Sequence, residues 1–439
     1  MTTHIDLEKY REALQKQQFI SYKGQVSKVV GLTIESNGPE TRVGELCRII
    51  NPRLKREVLA EVVGFHDRGV LLMPLGEMSG IAPGNDVIAT GMELSVCVGQ
   101  GLLGRVLDGL GKPIDGKGRM EISGRYPVNN TPPHPMERPR INEVLPLGVK
   151  CIDGLLTVGK GQRMGIFAGS GVGKSTLLGM IARNTRADIN VIALIGERGR
   201  EVRDFLERDL QEDGLKRSVV VVATSDQPAL IRKTGAMVAT AIAEYFRDQG
   251  KDVLLLMDSL TRFSMAQREI GLAIGEPPVS RGYTPSVFSI MPKLLERSGT
   301  SAKGSITGLY TVLVDGDDMT EPITDTARSI LDGHIFLSRQ MAHRNHYPAV
   351  DVLGSISRVM NDIVTDEHKK TAGEIRKNLA VYSEAEDLIN VGAYVKGSNQ
   401  EIDQAISVIS NINKFLVQST EEKFTFQSTL EMMQQSIQK

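Results

Sequence analysis

The sequence predicts an α/β protein built on a mainly parallel sheet, with a β-rich segment before it and a helical segment after it. Three observations carry this reading. Residues 140–350 alternate unbroken apolar runs with helical stretches, as strands buried on both faces of a parallel sheet require. Residues 168–175 read Ala-Gly-Ser-Gly-Val-Gly-Lys-Ser between strand-like Arg163 to Phe167 and helix-like Thr176 to Arg183. Two of the apolar runs end on carboxylates, Glu197 and Asp258.

Taken in order, residues 1–18 are polar, with Ile5, Tyr10 and Leu14 at loosely helical spacing. They read either as a short amphipathic helix or as a frayed terminus. Residues 19–92 hold short strand-like runs separated by turns: Gly24 to Val30, Leu46 to Ile50, Val58 to Val63 and Gly69 to Met73. That pattern fits a small barrel or a sandwich. Residues 104–139 are rich in Gly and Pro and read as a wrapping connector. The best strands of the α/β region are Val191 to Ile195, Val219 to Val222, Val253 to Met257 and Leu309 to Val314. Residues 355–439 are helical and polar, with breaks at Gly392 and around Gly397-Ser398-Asn399.

Composition narrows the class. The chain has 439 residues, enough for two or three domains, and is 41% apolar and 24% charged, as a globular protein is. It carries 52 basic and 53 acidic residues, so no global basic surface points to nucleic acid. Cys47, Cys97 and Cys151 are far apart and lack metal-ligand spacing, which fits reduced structural thiols. No apolar run approaches the ~18–20 residues of a membrane span, and the first residues show no signal pattern. A cytoplasmic protein is expected, reaching a membrane only through partners.

The 168–175 stretch is the strongest motif. A strand, a glycine turn and a helix start place the backbone N–H groups of Gly169, Ser170, Gly171, Val172 and Gly173 around one anion, with Ser175 and Thr176 opening the helix. Lys174 adds a point charge for β- and γ-phosphates, and the Ser175 hydroxyl can ligate Mg²⁺. The strict phosphate-loop pattern has Gly where this chain has Ala168. A dinucleotide loop is excluded because Lys174 stands where its third glycine is needed. Asp258 at a strand tip suits the second Mg²⁺ ligand, often through water; the alternative is a plain turn. Glu197 can orient or deprotonate a water attacking the γ-phosphate; the alternative is a salt bridge to Arg198 or Arg200.

Further along, Tyr347-Pro348-Ala349-Val350-Asp351 is followed by Ser355-Ile356-Ser357-Arg358. Together with Gly196-Glu197-Arg198-Gly199-Arg200-Glu201, these segments resemble the signatures of the α and β subunits of rotary ATP synthases and their export relatives. The resemblance spans about residue 20 to 439. It implies a RecA-like P-loop core (93–365) preceded by a β-barrel (19–92) and followed by a C-terminal helical domain (366–439). It implies that Lys174 holds the phosphates of ATP, Ser175 and Asp258 hold Mg²⁺, and Glu197 polarises the attacking water. Arg358 would be an arginine finger reaching into a neighbouring subunit, and Tyr347 would stack on adenine. Their alternatives are a local ion pair for Arg358 and core packing at a strand-to-helix turn for Tyr347. A chain with both Glu197 and Arg358 can build complete sites from copies of itself, so a homohexamer is expected.

Within the family the chain is most similar to the flagellar protein-export branch, through Val314 to Asp325, Tyr382 to Ile389 and Gly392 to Asn399. That branch implies a regulator or stator docking on residues 1–18. It also implies a membrane-bound export gate, chaperones and export substrates near the C-terminal helices, and a place at the inner face of the cell membrane. The alternatives are a virulence injectisome ATPase and a proton-coupled rotary subunit. The acidic C-terminal segment of the rotary catalytic subunit is absent, and the non-catalytic subunit lacks the glutamate found here as Glu197. The related RNA helicases carry an RNA-binding N-terminal domain, and no basic-aromatic surface is legible in residues 19–92.

Overall fold

A computed structural model describes residue 11 and residues 22–438, apart from 55, 68, 315 and 317. The helix expected over residues 1–18 lies outside the described residues, position 11 excepted. The chain divides into two compact units: one reaches to Leu94 and includes Leu272–Glu276, and the other holds Ser95–Gly271 and Pro277–Lys439.

The first unit is a closed barrel. Its strands are β1 (Lys23–Val30), β2 (Thr33–Asn37), β3 (Glu45–Asn51), β4 (Arg56–His66), β5 (Gly69–Pro74) and β6 (Asp86–Glu93), in the order β1-β2-β5-β4-β3-β6. Val26, Ile34, Ile49, Val62, Leu72 and Val87 point inward and fill it, as the two-residue period of a strand requires. Closure resolves the barrel-or-sandwich alternative and leaves no open sheet edge.

The second unit holds β7 (Ser95–Val98), β8 (Arg105–Asp108), β9 (Gly124–Pro127), β10 (Arg163–Ala168), β11 (Ile189–Ile195), β12 (Ser218–Ala223), β13 (Asp252–Asp258), β14 (Gly299–Thr300), β15 (Ser305–Leu313), β16 (Gly333–Leu337) and β17 (Val350–Ser357). The main sheet runs β17-β16-β10-β15-β13-β11-β12-β8, with β14 paired to β15. β17 and β14 are antiparallel to their neighbours; the other strands are parallel. β11 and β12 are buried at every residue, because helices such as Lys174–Asn184 and Ala229–Asp248 cover the sheet.

The stretch 104–139 is more than a connector. Four of its residues form β8, the sheet's edge strand, and β9 pairs with β7. A bidentate ion pair, Arg105 Nε to Asp115 Oδ2 and Nη2 to Oδ1 at 2.7 Å each, ties the following turn back to β8.

The C-terminal helices are Asp366–Asn390, Gln400–Leu416 and Phe426–Ser436, capped by Thr365, Asn399 and Thr425. Gly392 and Gly397 take positive φ in the turn between the first two. Their apolar faces carry Ile375, Ile412, Phe415 and Met433 into the same core as Ile166, Leu177 and Leu256 of the sheet region. The helices thus share one core with the sheet.

Candidate functional site

β10 ends at buried Ala168, whose carbonyl accepts the Val314 N–H at 3.0 Å. Gly171 (φ 78°) and Gly173 (φ 85°) then turn the chain through the left-handed region that glycine adopts freely. Val172 buries its side chain and pins the turn, while Ser170 and Ser175 stay exposed. Helix Lys174–Asn184 starts at once, with no side chain capping it. Its first N–H groups and the positive end of its dipole are left for an anion.

Four neighbouring parallel strands bring the other groups to the same edge. The loop follows β10, Thr311 lies on β15, Asp258 ends β13, and Glu197 follows β11. Lys174 Nζ lies 2.5 Å from Asp258 Oδ1 and 3.6 Å from Glu197 Oε1. Burial alone would lower the lysine pKa, but the two carboxylates outweigh it and hold it raised. Asp258 is 3% exposed and also accepts from Thr311 Oγ1 at 2.7 Å, so it is no plain turn residue.

Glu197 is bonded to neither neighbouring arginine. Arg198 pairs with Glu201 at 3.3 Å and Arg200 with Asp204 at 3.6 Å. Burial first, then the nearby Asp258 charge, pushes the Glu197 carboxyl up to about 7. Glu201 shares a hydrogen bond with it, which holds the Glu201 carboxyl below its ordinary value. Gly196 (φ 71°) precedes Glu197 with Arg262 packed against it: an added Cβ would lie 2.8 Å from Arg262 Cβ.

Tyr347 sits in the segment between helix Arg339–His343 and β17, not at a strand-to-helix turn. Its ring lies against the phosphate loop: a Cβ on Gly173 would be 3.4 Å from Tyr347 Cε1. The residue is 38% exposed, so it is not core packing.

Arg358 is placed apart. β17 runs back along β16, pairing Val350 with Leu337 and Ser357 with Gly333. Arg358 therefore emerges at the amino-terminal end of the parallel strands, where its N–H donates to Asp332 O at 3.1 Å. Asp332 in turn binds Arg163, the first residue of β10, with its N–H donating to Arg163 O at 2.8 Å and its Oδ2 accepting from Arg163 Nε at 3.0 Å. The phosphate loop leaves the other end of β10, about 17 Å away at 3.3 Å per residue. Arg358 is exposed, and its Nη2 meets the Arg328 carbonyl at 3.4 Å. No carboxylate pairs with it among the described residues, contrary to the local ion-pair alternative.

Several groups at the site were not singled out from sequence. Thr311 reads as an ordinary β-branched strand residue, and Arg262 as a helix surface residue. Glu201 lies inside the quoted 196–201 segment, in the first turn of helix Gly199–Asp204, whereas Glu197 precedes that helix.

Comparison with known proteins finds relatives for each part of the chain. The family model of the ATP synthase alpha/beta family nucleotide-binding domain matches residues 148–357, and that family's beta-barrel domain matches residues 26–91. The model of the T3SS EscN ATPase C-terminal domain matches residues 364–435. The chain is 59% identical over 407 residues to a flagellum-specific ATP synthase of Bacillus subtilis (strain 168), covering 92% of each chain. It is 52% identical to a type 3 secretion system ATPase of Xanthomonas euvesicatoria, covering 93% of each. Among solved structures it is similar to the assembled ATPase EscN in complex with its central stalk EscO, from the enteropathogenic E. coli type III secretion system. The TM-score is 0.88 at 47% identity, covering 94% of this chain and all of the other.

Proposed function

The chain belongs to the ATP synthase α/β family, in its flagellar and type III secretion ATPase branch, and from that premise we propose that it hydrolyses Mg-ATP as a homohexamer to energise export of flagellar proteins. The observation that carries the reading is the meeting of Lys174, Glu197 and Asp258 at the carboxyl ends of neighbouring strands, beside a glycine loop that opens a helix. Ligands gather at such strand ends.

The phosphates lie in the turn from Gly169 to Gly173, held by its backbone N–H groups and by the start of the helix at Lys174, Ser175 and Thr176. Lys174 stays charged between its two carboxylates and moves toward the β- and γ-oxygens as negative charge arrives. The exposed Ser175 hydroxyl and the buried Asp258 carboxylate are hard oxygen donors, few in number, as a Mg²⁺ that also binds phosphate requires. Bound there, Mg²⁺ would neutralise charge on the transferring phosphoryl group. Glu197 orients the attacking water and accepts its proton; a carboxyl raised to about 7 is matched to that task near neutral pH. Tyr347, beside the loop and exposed on one side, stacks on the base.

Arg358 cannot serve the phosphate loop of its own chain across the length of β10. It reaches a nucleotide only from a neighbouring copy, so the ring supplies the final cation. The EscN comparison structure is described as assembled, which supports this arrangement. Flagellum-specific relatives at 59% and 56% identity support the flagellar assignment. A central stalk, as EscO is for EscN, fits the ring, and residues 1–18 would receive a regulator. Export gate, chaperones and substrates would meet the C-terminal helices. Such partners would hold a cytoplasmic ATPase at the membrane; no helix among the described residues is long and apolar enough to cross one.

The test is secretion. A strain carrying Glu197→Gln at the chromosomal locus is expected to export little flagellin and hook protein while the variant is still expressed and still forms hexamers. Undiminished export would contradict the reading.

A further inference from the structure

We propose that Gln418 is a positioning residue through which the C-terminal helical region holds Tyr347 in place for the nucleotide base. The proposal rests on the base-stacking reading of Tyr347. Gln418 follows helix Gln400–Leu416, and although polar it is only 2% exposed. A buried amide persists only where its donors and acceptors are met.

Here they are met by a cross-brace. The backbone N–H of Gln418 donates to the Tyr347 carbonyl at 3.0 Å. Its side-chain Oε1 accepts the Lys150 N–H at 2.8 Å. Its Nε2 donates to Gly148 O at 3.0 Å and Glu422 O at 3.1 Å. One residue thus ties the segment bearing Tyr347 to the turn at Gly148 to Lys150.

That turn is itself fixed to the phosphate-loop helix. Gly148 (φ 74°) comes so close to Asn184, the last residue of helix Lys174–Asn184, that an added Cβ would lie 2.3 Å from Asn184 Cβ. Asp153 accepts the N–H groups of Leu147 and Gly148, each at 2.8 Å, from within the core. Gln418 therefore hangs the carbonyl of Tyr347 from the rigid base of the helix whose other end is Lys174. The Tyr347 ring completes the loop by resting on Gly173.

The two contributions separate by ligand. Tyr347 is placed for the base, and residues 169–176 for the phosphates. The test compares ATP with inorganic tripolyphosphate, which lacks the base, on the full-length assembled protein. Tyr347→Ala and Gln418→Ala are each expected to raise the KM for ATP about tenfold, within the range of losing one base–aromatic stack. Both are expected to leave kcat within about twofold. Inhibition by tripolyphosphate should be unchanged in both. The double variant should be no weaker than Tyr347→Ala alone, because the two residues act in series.

Gln418→Ala with an unchanged KM, or with ATP and tripolyphosphate weakened equally, would overturn the proposal while leaving Tyr347 in its role. If Tyr347→Ala itself spares ATP affinity, the base-stacking reading fails and the proposal falls with it. Should Gln418→Ala fail to fold, Gln418→Glu is held to the same criteria, since it keeps the acceptor for the Lys150 N–H and loses both donors.

Discussion

The two ends of the central sheet are built to opposite specifications. At the carboxyl end, Lys174, Glu197 and Asp258 crowd together and are largely buried; the two carboxylates hold the lysine raised, and burial with the Asp258 charge pushes the Glu197 carboxyl up. At the amino end, Arg163, Glu296 and Asp332 form an ion-pair network beneath Arg358, which projects to solvent without a carboxylate of its own among the described residues. One end has two carboxylates around a single lysine, while the other displays a cation with nothing to neutralise. The difference teaches that Arg358 and the Lys174 cluster are set too far apart to meet within one chain, so under the proposed function they would be complementary halves of a site shared between copies.

The comparison can be broken most forcefully at Arg358. Arg358→Ala is expected to lower turnover by about 10³-fold or more, the scale of an arginine finger, with nucleotide binding kept. Steady-state ATPase assays at saturating ATP decide it; a loss below about tenfold would return Arg358 to a local structural role. At the opposite end, Glu197→Gln is expected to cost about 10²–10⁴-fold in kcat while a fluorescent nucleotide still binds. Normal turnover in that variant would remove Glu197 from the reaction.

A smaller effect is expected at Asp332, which holds Arg163 with its carboxylate and the Arg358 N–H with its carbonyl. Asp332→Asn should shift Arg358 slightly and lower kcat by about tenfold at unchanged KM. A rise in KM instead would place the damage at the other end of the sheet.

The smallest expected effect concerns stability. The folded Glu197 carboxyl titrates near 7 and the unfolded one at its ordinary value of 4.5. Between those values the folded chain keeps a proton that the unfolded chain has lost, so this group makes stability fall as pH rises through that window. Glu197→Gln removes the burden. Its gain in melting temperature over the parent should be larger at pH 8 than at pH 5. An equal gain at both would mean that the carboxyl is not raised in the folded protein.

Much of this was legible in the sequence. The phosphate loop, the strands ending at Glu197 and Asp258, and the breaks near Gly392 and Gly397 follow from local patterns: apolar runs, glycine turns and strand-tip carboxylates. What was missed depends on register and distance. Arg105–Asp108 is a four-residue strand among glycines, and only its pairing with β12 reveals it. Thr311 has the same propensity as any β-branched strand residue, and only strand order brings it to Asp258. The barrel could not be told from a sandwich because closure depends on which strands pair, not on their alternation. Arg358 was identified by its motif, but its place at the far end of the sheet needs the antiparallel return of β17. Gln418 sits in a polar stretch where its burial leaves no sequence signal.

The central claim is that one copy completes the site of the next. The most direct measurement is the ATPase activity of Arg358→Ala and Glu197→Gln chains, each alone and after co-assembly. Every mixed ring contains interfaces where an intact Glu197 faces an intact Arg358. Turnover should therefore reappear in the mixture although each variant alone is nearly inactive. A co-assembled mixture as inactive as its components would contradict a site shared between copies.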